Sequence, residues 1–338
     1  MRLSESLRKN ILEANVGGIV NKFKLHKRRD ILLFEEILAK YIKICEDAGY
    51  KAGMREAAKE WSFAYVKNFL PKFMEKLPKS MLLNSVIRKV LINIGLLDDL
   101  KAAISNGIIT FSTYNEAITR HIGENEFCIG LWEGVISGLY RRKIETLSAE
   151  QSNERSVYSF SIKDAPFDIE SKSKDCYIAL NRAFTGNSEL KRYLRMRIIV
   201  LKNNRMYFRE KSVVLGENTL LHIFGNKGIL IEKIPGISCS CFRDIMDPGS
   251  SANSRIVMLK NLLQVFGWGK VRILCSRDKI AIEIRNPPYG IQKGEDNWIF
   301  LASMILGYVF LIDRRYRISG IKKFKLGLEI SYSISGAI

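Results

Sequence analysis

Two stretches of this chain have the same pattern, VIRKVLINIG (Val86–Gly95) and MLKNLLQVFG (Met258–Gly267). Each carries apolar residues at helical spacing and ends on a glycine, the residue that most often follows a helix end. An ungapped alignment at an offset of 172 residues extends the match over Val86–Ile162 and Met258–Ile334. A module that occurs twice predicts two related units, packed as an internal pseudo-dimer.

The length and the apolar content indicate a globular protein with room for two cores. The chain has 338 residues, of which 47% are hydrophobic. Its most apolar segment, Trp298–Ile312, is shorter than a membrane span and is typical of a buried helix. The N-terminus lacks the apolar core of a signal peptide, so we expect a cytoplasmic protein without a membrane span.

The net charge is strongly positive. Lys and Arg total 54 against 35 acidic residues, which gives a formal charge of +19. Such a field attracts polyanions, which include nucleic acid, a ribosome, an acidic protein and an anionic membrane surface. The alternative is a basic surface that is only solvated.

The secondary-structure pattern predicts an α+β fold made of two tandem copies of a helices-on-antiparallel-sheet module. Residues 1–80 are predicted to be helical, including Ile31–Leu70. Each copy then has a hairpin, an apolar helix and further strands, and Asn106-Gly107 is a strong hairpin signal in the first copy. We predict a first domain over 1–165, a linker over 166–194 and a second, divergent copy over 195–338.

Three glycines lie four residues apart in one apolar helix, at Gly130, Gly134 and Gly138. This spacing places them on one helix face, and each costs about 1 kcal/mol relative to Ala in a helix interior. Another element or a ligand should therefore come close to this face. The ungapped alignment sets bulkier residues against these glycines in the second copy: Ala302, Leu306 and Phe310.

Two segments, Glu126–Ile162 and Cys45–Trp61 with its Gly-Tyr-x-x-Gly pattern, resemble a known family. They are similar to the 4-vinyl reductase-type domain and to the related TRAPP vesicle-tethering subunits, over roughly 30–162 and more weakly over 195–334. The resemblance implies helices packed on an antiparallel sheet, a tendency to dimerise, and an apolar cavity for a small hydrophobic ligand. Several members are sensory modules or scaffolds. The implied pocket is lined by Gly53, Phe127, Gly130, Trp132, Gly134 and Gly138.

The chain departs from the family where many members carry two cysteines near the closing strand. Tyr158 stands at one of these positions, Glu150 lies near the other, and Ile330 is the counterpart of Tyr158 in the second copy. Cys239-x-Cys241 is interpreted as alternating residues of an apolar strand, because no second ligand pair follows. We find no phosphate-binding loop, dinucleotide fingerprint or nucleophile elbow. No catalytic residue, metal or cofactor is predicted.

Basic clusters interleaved with aromatic residues favour a different function. Lys and Arg can neutralise phosphates while aromatic rings stack on unpaired bases. The turn Gly225–Gly228 also resembles the Gly-x-x-Gly turn of the KH RNA-binding domain, although a plain turn explains it as well. The candidate polyanion-binding residues are Arg141, Arg142, Lys143, Arg192, Arg195, Lys227, Arg314, Arg315, Lys322 and Lys323.

Three functional hypotheses follow. The first is a non-enzymatic binding or regulatory protein, with an apolar-ligand pocket or a scaffold role and a small ligand or a protein as partner. The second is a nucleic-acid- or ribosome-binding protein that uses the basic surface. The third is a reductase that acts on a tetrapyrrole vinyl group, which the family resemblance suggests and no cofactor motif supports.

Overall fold

The computed structural model describes residues 12–15, 18–21, 28–69, 76–167, 189–202, 205–216, 218–288, 296–324 and 327–334. The strands of the first half are β1 (Leu12–Asn15), β2 (Gly18–Asn21), β3 (Arg28–Phe34), β4 (Asp99–Ser105), β5 (Ile108–Tyr114), β6 (Arg142–Gln151) and β7 (Arg155–Pro166). Its helices are α1 (Glu35–Asp47), α2 (Lys51–Phe69), α3 (Lys79–Met81, a π-helical Leu82–Ile87 and Arg88–Asn93), α4 (Thr119–Ile122) and α5 (Glu126–Tyr140).

The second half has a similar order of elements, with an additional helix, α6, at its start and without a described counterpart of α4. Its helices are α6 (Glu189–Arg195), α7 (Thr219–Lys227), α8 (Ile234–Ile245), α9 (Ala252–Val265) and α10 (Ile299–Val309). Its strands are β8 (Ile199–Lys202), β9 (Arg205–Phe208), β10 (Lys211–Gly216), β11 (Lys270–Cys275), β12 (Lys279–Arg285), β13 (Tyr316–Phe324) and β14 (Gly327–Ile334).

The strands form three antiparallel sheets. Each half contributes three strands to a central six-stranded sheet of order β1-β2-β3-β10-β9-β8, which is joined through β3 and β10. Each half also has its own four-stranded sheet, β4-β5-β7-β6 in the first and β11-β12-β14-β13 in the second. The predicted α+β class is confirmed.

The N-terminal prediction is wrong for the described residues before Glu35, because β1, β2 and β3 are strands rather than helices. Ile31–Phe34 is a run of consecutive buried apolar residues, a pattern that fits a buried strand as well as a buried helix. Here both neighbouring strands are present, since β2 and β10 pair with β3. The tertiary context therefore decides a pattern that is ambiguous locally.

The Asn106-Gly107 hairpin is confirmed. Ser105 lies opposite Ile108, and both turn residues have positive φ, 51° at Asn106 and 75° at Gly107. Two central residues with positive φ form the tight turn that matches the right-handed twist of paired strands. In the second half the corresponding turn is wider, because Cys275 lies opposite Ile280.

The two halves exchange backbone hydrogen bonds around the centre of the six-stranded sheet. The amide of Leu32 donates to the carbonyl of Phe266 at 2.9 Å, and the amide of Leu215 donates to the carbonyl of Ile94 at 2.8 Å. Leu32 and Leu215 lie opposite each other in the β3–β10 pair. The two bonds are reciprocal, as in an isologous interface between identical subunits.

Each accepting carbonyl belongs to the end of a helix that the sequence repeat marks. α3 ends before Gly95 and α9 ends before Gly267, and these glycines have φ values of 81° and 88°. Glycine adopts this left-handed conformation without strain, so the chain can turn sharply and leave the last helical carbonyls free to accept. The paired glycines therefore place the two acceptors of the exchanged bonds.

Aromatic side chains fill the interface between the halves. The ring of Phe34 contacts three rings of the second half, with centroid distances of 6.0 Å to Phe208, 5.8 Å to Phe242 and 5.0 Å to Phe266. Such tilted and edge-to-face pairs contribute about 0.5–1.5 kcal/mol each beyond their burial. Asp98 of the first half adds a two-pronged ion pair with Arg205, at 3.1 and 2.9 Å.

None of the helices in the described part of the chain has the length and apolar character needed to cross a bilayer.

We predict that the halves stay associated after the connection between them is cut. A protease site inserted within 168–188 would separate β7 from α6 while leaving the central sheet intact. After cleavage the two fragments should co-elute as a 1:1 complex in size-exclusion chromatography, because the core and the exchanged bonds join them. Fragments that separate without denaturant would contradict the interface, and the uncleaved protein with the same insertion is the control.

Candidate functional site

The glycine-bearing helix α5 packs directly against α2. A Cβ atom on Gly134 would overlap the Oγ of Ser62 and the carbonyl oxygen of Lys59, and one on Gly138 would lie 2.9 Å from the Cβ of Val66. These distances are too short for a real side chain, so α2 occupies the glycine face. Close helix approach explains the cost of three glycines in a helix interior.

The expected pocket is therefore filled by protein. A Cβ on Gly130 would overlap the backbone of Arg55, and one on Gly53 would come within 2.9 Å of the Ile229 side chain. Phe127 and Trp132 are buried, with relative exposures of 2% and 1%. The structure brings all six predicted pocket residues into the region around α2 and α5, but it packs them against neighbouring residues rather than beside an open cavity.

The second half has the same contact, one residue away from the position that the ungapped alignment assigns. A Cβ on Gly307 would overlap the Oγ of Ser238 and the carbonyl oxygen of Pro235. Ser238 donates to the carbonyl four residues earlier at 2.9 Å, as Ser62 does at 2.8 Å. The counterpart of Gly134 is thus Gly307 and not Leu306. The close approach of the two helices is retained in the second half.

We predict that Gly134→Ala lowers the free energy of unfolding by about 1–3 kcal/mol, because the added methyl group must displace α2. The matched control is Gly236→Ala, at a helical glycine with open space around the missing Cβ. That variant should keep the stability or raise it by up to about 1 kcal/mol. Urea unfolding measures both changes, and a Gly134→Ala protein as stable as the parent would contradict the close approach.

A charged network links the same two helices. Arg55 contacts both carboxylate oxygens of Glu133, at 2.6 and 3.2 Å, and also Glu126 at 2.9 Å. The Thr146 hydroxyl donates to Glu133 at 2.9 Å, and the Lys59 ammonium lies 3.4 Å away. The Glu133 side chain is only 5% exposed. Buried charges persist when they are paired and hydrogen-bonded in this way.

The pKa of Glu133 is lowered from its ordinary value. Burial alone would raise the pKa, but the hydrogen bond from Arg55 and the charge of Lys59 outweigh burial. A carboxyl whose pKa is depressed by folding stabilises the fold above its unfolded pKa, and this stability is lost as the pH falls through the folded pKa.

We predict that Glu133→Gln destabilises the protein at neutral pH by about 1–3 kcal/mol, because Arg55 loses its charged partner. The difference from the parent should shrink as the pH falls from 4.5, the ordinary pKa of the group, through the lower folded pKa, because the parent carboxyl is protonated first in the unfolded chain and then in the folded protein. Thermal unfolding from pH 3 to pH 8 follows this difference. The control is Glu56→Gln, a change of an exposed residue on the same helix as Arg55. If the stability difference between Glu133→Gln and the parent did not change with pH, the charged interaction of Glu133 with Arg55 would be contradicted.

A second buried polar cluster surrounds Glu116. Its carboxylate accepts from the Trp132 indole at 2.7 Å, from the Tyr158 hydroxyl at 2.7 Å and from the Thr119 hydroxyl at 2.9 Å. The side-chain amide of Gln151 donates to the Tyr158 hydroxyl at 2.9 Å. Glu116 is not among the residues predicted from the sequence, because it lies between β5 and α4 with no motif around it.

This cluster contains two groups that could act as nucleophiles, the Tyr158 phenol and the Cys128 thiol, but both are buried. Burial raises the pKa of Tyr158 and that of Cys128 well above their ordinary values, and the charge of Glu116 adds to both shifts. At neutral pH the phenol and the thiol therefore stay protonated and unreactive. In the second half the counterparts of Tyr158 and Trp132 are the buried Ile330 and Ile305, which cannot hydrogen-bond, so these two donors of the cluster are replaced by apolar side chains.

A polar cavity of about 230 Å³ opens near the start of α5. Glu46 caps the helix there, because its Oε1 accepts the amides of Glu126 at 3.0 Å and Phe127 at 3.1 Å. Burial raises the pKa of Glu46 despite these bonds. None of the six predicted pocket residues lines the cavity. The lining residues are Lys43, Glu46, Asp47, Lys51, Ile122, Glu124, Asn125, Glu126, Ile129, Ala149 and Gln151.

No metal site is evident within the described ranges, where no three His, Cys, Asp or Glu side chains converge. Cys239 and Cys241 are buried and lie on helix α8, which corrects their assignment to a strand. His222 is buried too, and burial lowers its pKa. His26 lies outside the described residues.

The Gly-x-x-Gly turn is a helix end. Gly225 and Lys227 belong to α7, and Gly228 follows in a left-handed conformation with φ of 65°. A Cβ on Gly225 would lie 3.0 Å from the side chain of Asn297, so this glycine serves packing. These contacts explain both glycines by packing and by the turn at the end of a helix, as the alternative to a KH-like turn expects.

The predicted basic residues fall on several elements. Arg141 ends α5 with φ of 57°, and Arg142 opens β6 with an ion pair to Asp164. Arg314 and Arg315 are exposed just before β13, an edge strand as β6 is, and Arg315 pairs with Asp313 at 2.7 Å. The remaining predicted residues are Lys143 on β6, Arg192 and Arg195 on α6, Lys227 on α7, and Lys322 and Lys323 on β13.

No family model, no curated protein and no solved structure matches this chain. Function is therefore inferred from the contacts, burial and charges of the described residues.

Proposed function

We propose that this chain is a non-enzymatic binding protein that acts as a scaffold, built from two related halves as an internal pseudo-dimer. The observation that carries the proposal is the closed contact between α2 and α5. Because helix backbone fills the glycine face, a partner must bind at the outer surface rather than in an apolar pocket beside these helices. This packing favours the scaffold role over the apolar-ligand role.

The state of the reactive groups supports a role without catalysis. A general base or nucleophile must reach its substrate and must change its protonation state near the working pH. Tyr158 and Cys128 are buried with raised pKa values, and Glu133 is held in an ion pair with Arg55. These groups stabilise the interior of the first half. The reductase hypothesis has the least support.

The resemblance to the 4-vinyl reductase-type and TRAPP-like domains remains part of the proposal. Two features support it: each half packs helices on an antiparallel sheet, and each has a glycine of the apolar helix facing a serine of the neighbouring helix. Tyr158 in place of a cysteine fits a structural use of the closing strand, since its hydroxyl donates to Glu116.

Native mass spectrometry of protein purified gently at low salt from its own host tests the proposal. We expect the mass of the polypeptide, alone or with a macromolecular partner. A stoichiometric adduct of a few hundred daltons that survives high salt would contradict the scaffold role and favour a ligand pocket. Titration with Nile red, a neutral apolar dye, is the independent check, and saturable binding at one site per chain would also contradict the scaffold role.

A further inference from the structure

We infer that one end of the C-terminal four-stranded sheet binds the phosphate backbone of nucleic acid. The site is the C-terminal basic cluster, which we define as Arg277, Lys279, Arg314, Arg315 and Arg317. This inference rests on one part of the proposed function, namely that partners bind at the outer surface and not in an interior pocket.

The sheet register brings these residues together. Lys279 and Arg317 both lie opposite Ser333, one on each side of the central strand β14. Residues in one row across a sheet point to the same face. The β11–β12 turn carries Arg277 beside this row, and the amide of Ile334 at the end of β14 donates to the carbonyl of Asp278 in that turn. Arg314 and Arg315 precede β13 at the same end.

The charges of the cluster are largely available. All five side chains belong to exposed residues. Arg315 pairs with Asp313, and Arg317 donates to the main-chain carbonyls of Arg314 and Tyr316. Within the described part of the chain, Arg277, Lys279 and Arg314 have no ion pair. Unneutralised cations on a rigid sheet end are suited to an anionic polymer.

The first half provides an internal comparison. Its equivalent row is Ile108, Ser161 and Glu145, so an apolar and an acidic residue take the places of Lys279 and Arg317. The turn beside this row is the uncharged Asn106-Gly107. At this end Arg142 pairs with Asp164 and Lys163 pairs with Glu145, while the exposed Lys143 has no ion pair among the described residues. The same geometry thus carries a more strongly basic surface in the second half, where Lys279 and Arg317 replace an apolar and an acidic residue.

The composition of the cluster favours nucleic acid over an acidic protein. Four of the five residues are arginines, whose planar guanidinium groups match phosphate oxygens. Protein interfaces usually have an aromatic or apolar centre, whereas Tyr316, the aromatic residue beside the cluster, is only 5% exposed. Without an exposed ring to stack on bases, the cluster should contact the backbone and bind without sequence preference.

Fluorescence anisotropy with a labelled 20-base-pair DNA duplex tests the inference in the full chain. The variant Arg277→Ser/Lys279→Ser/Arg314→Ser/Arg317→Ser should bind at least about tenfold more weakly than the parent at 50 mM salt, because phosphate contacts dominate such affinities. The slope of log K against log salt should become shallower by up to about 3.6, since four cations are removed and about 0.9 is lost per phosphate contact.

The matched control removes four exposed positive charges from the first half at residues outside the predicted polyanion-binding set, in Lys89→Ser/Lys101→Ser/Arg155→Ser/Lys163→Ser. It should bind within about threefold of the parent, because only long-range attraction changes. Circular dichroism melts should show both variants folded. Equal losses in the two variants, or no binding by the parent, would overturn the inference.

Polyglutamate is the parallel probe for an acidic protein partner. If the parent binds polyglutamate through the cluster but not the duplex, the nucleic-acid inference is overturned. The outcome is separable from the scaffold proposal, because the mass of the purified protein and its response to Nile red do not depend on these side chains.

Discussion

The fold depends on the pairing of β3 with β10 and on the two backbone bonds that flank it. A buried amide without an acceptor costs free energy comparable to a lost hydrogen bond, so every buried donor in the centre needs a partner. β2 pairs with β3 only as far as Asp30, and β9 pairs with β10 only as far as Val213. Beyond these points the acceptors are the helix ends at Phe266 and Ile94. Each half therefore satisfies its central strand with a carbonyl of the other half.

This exchange explains why the halves can diverge elsewhere and keep the same frame. Backbone geometry requires the glycines at the helix ends and those at the close helix contacts, Gly134 and Gly307. Different side chains can surround these glycines without changing that geometry. The interior of the first half is polar around Glu116, and the second half has isoleucines at the matching places. The surface diverges too, since Glu145 and Arg317 occupy matching positions on the two edge strands.

Much of the architecture could be predicted because it depends on local patterns. Asn106-Gly107 specifies its turn through positive φ, and the alternation in β5 and β12 matches their buried and exposed faces.

The glycine spacing predicted a close approach to the helix face without saying whether a helix or a ligand makes it. The segment Ile31–Phe34 could not be assigned locally, because its partners are β10 and the carbonyl of Phe266, which are far away in the sequence. Glu116 and the Arg55–Glu133 pair depend on tertiary contacts that no spacing reveals. The row formed by Lys279 and Arg317 depends on the register of three strands.

The central claim is that the two halves close each other's central strand. Amide hydrogen exchange at Leu32 and Leu215, followed by NMR in the intact chain, tests this claim most directly. The two amides should be among the slowest to exchange and should have the same free energy of opening, equal to that of global unfolding, because neither bond can break without separating the halves. Rapid exchange at either residue, while its neighbours in β3 and β10 stay protected, would contradict the account.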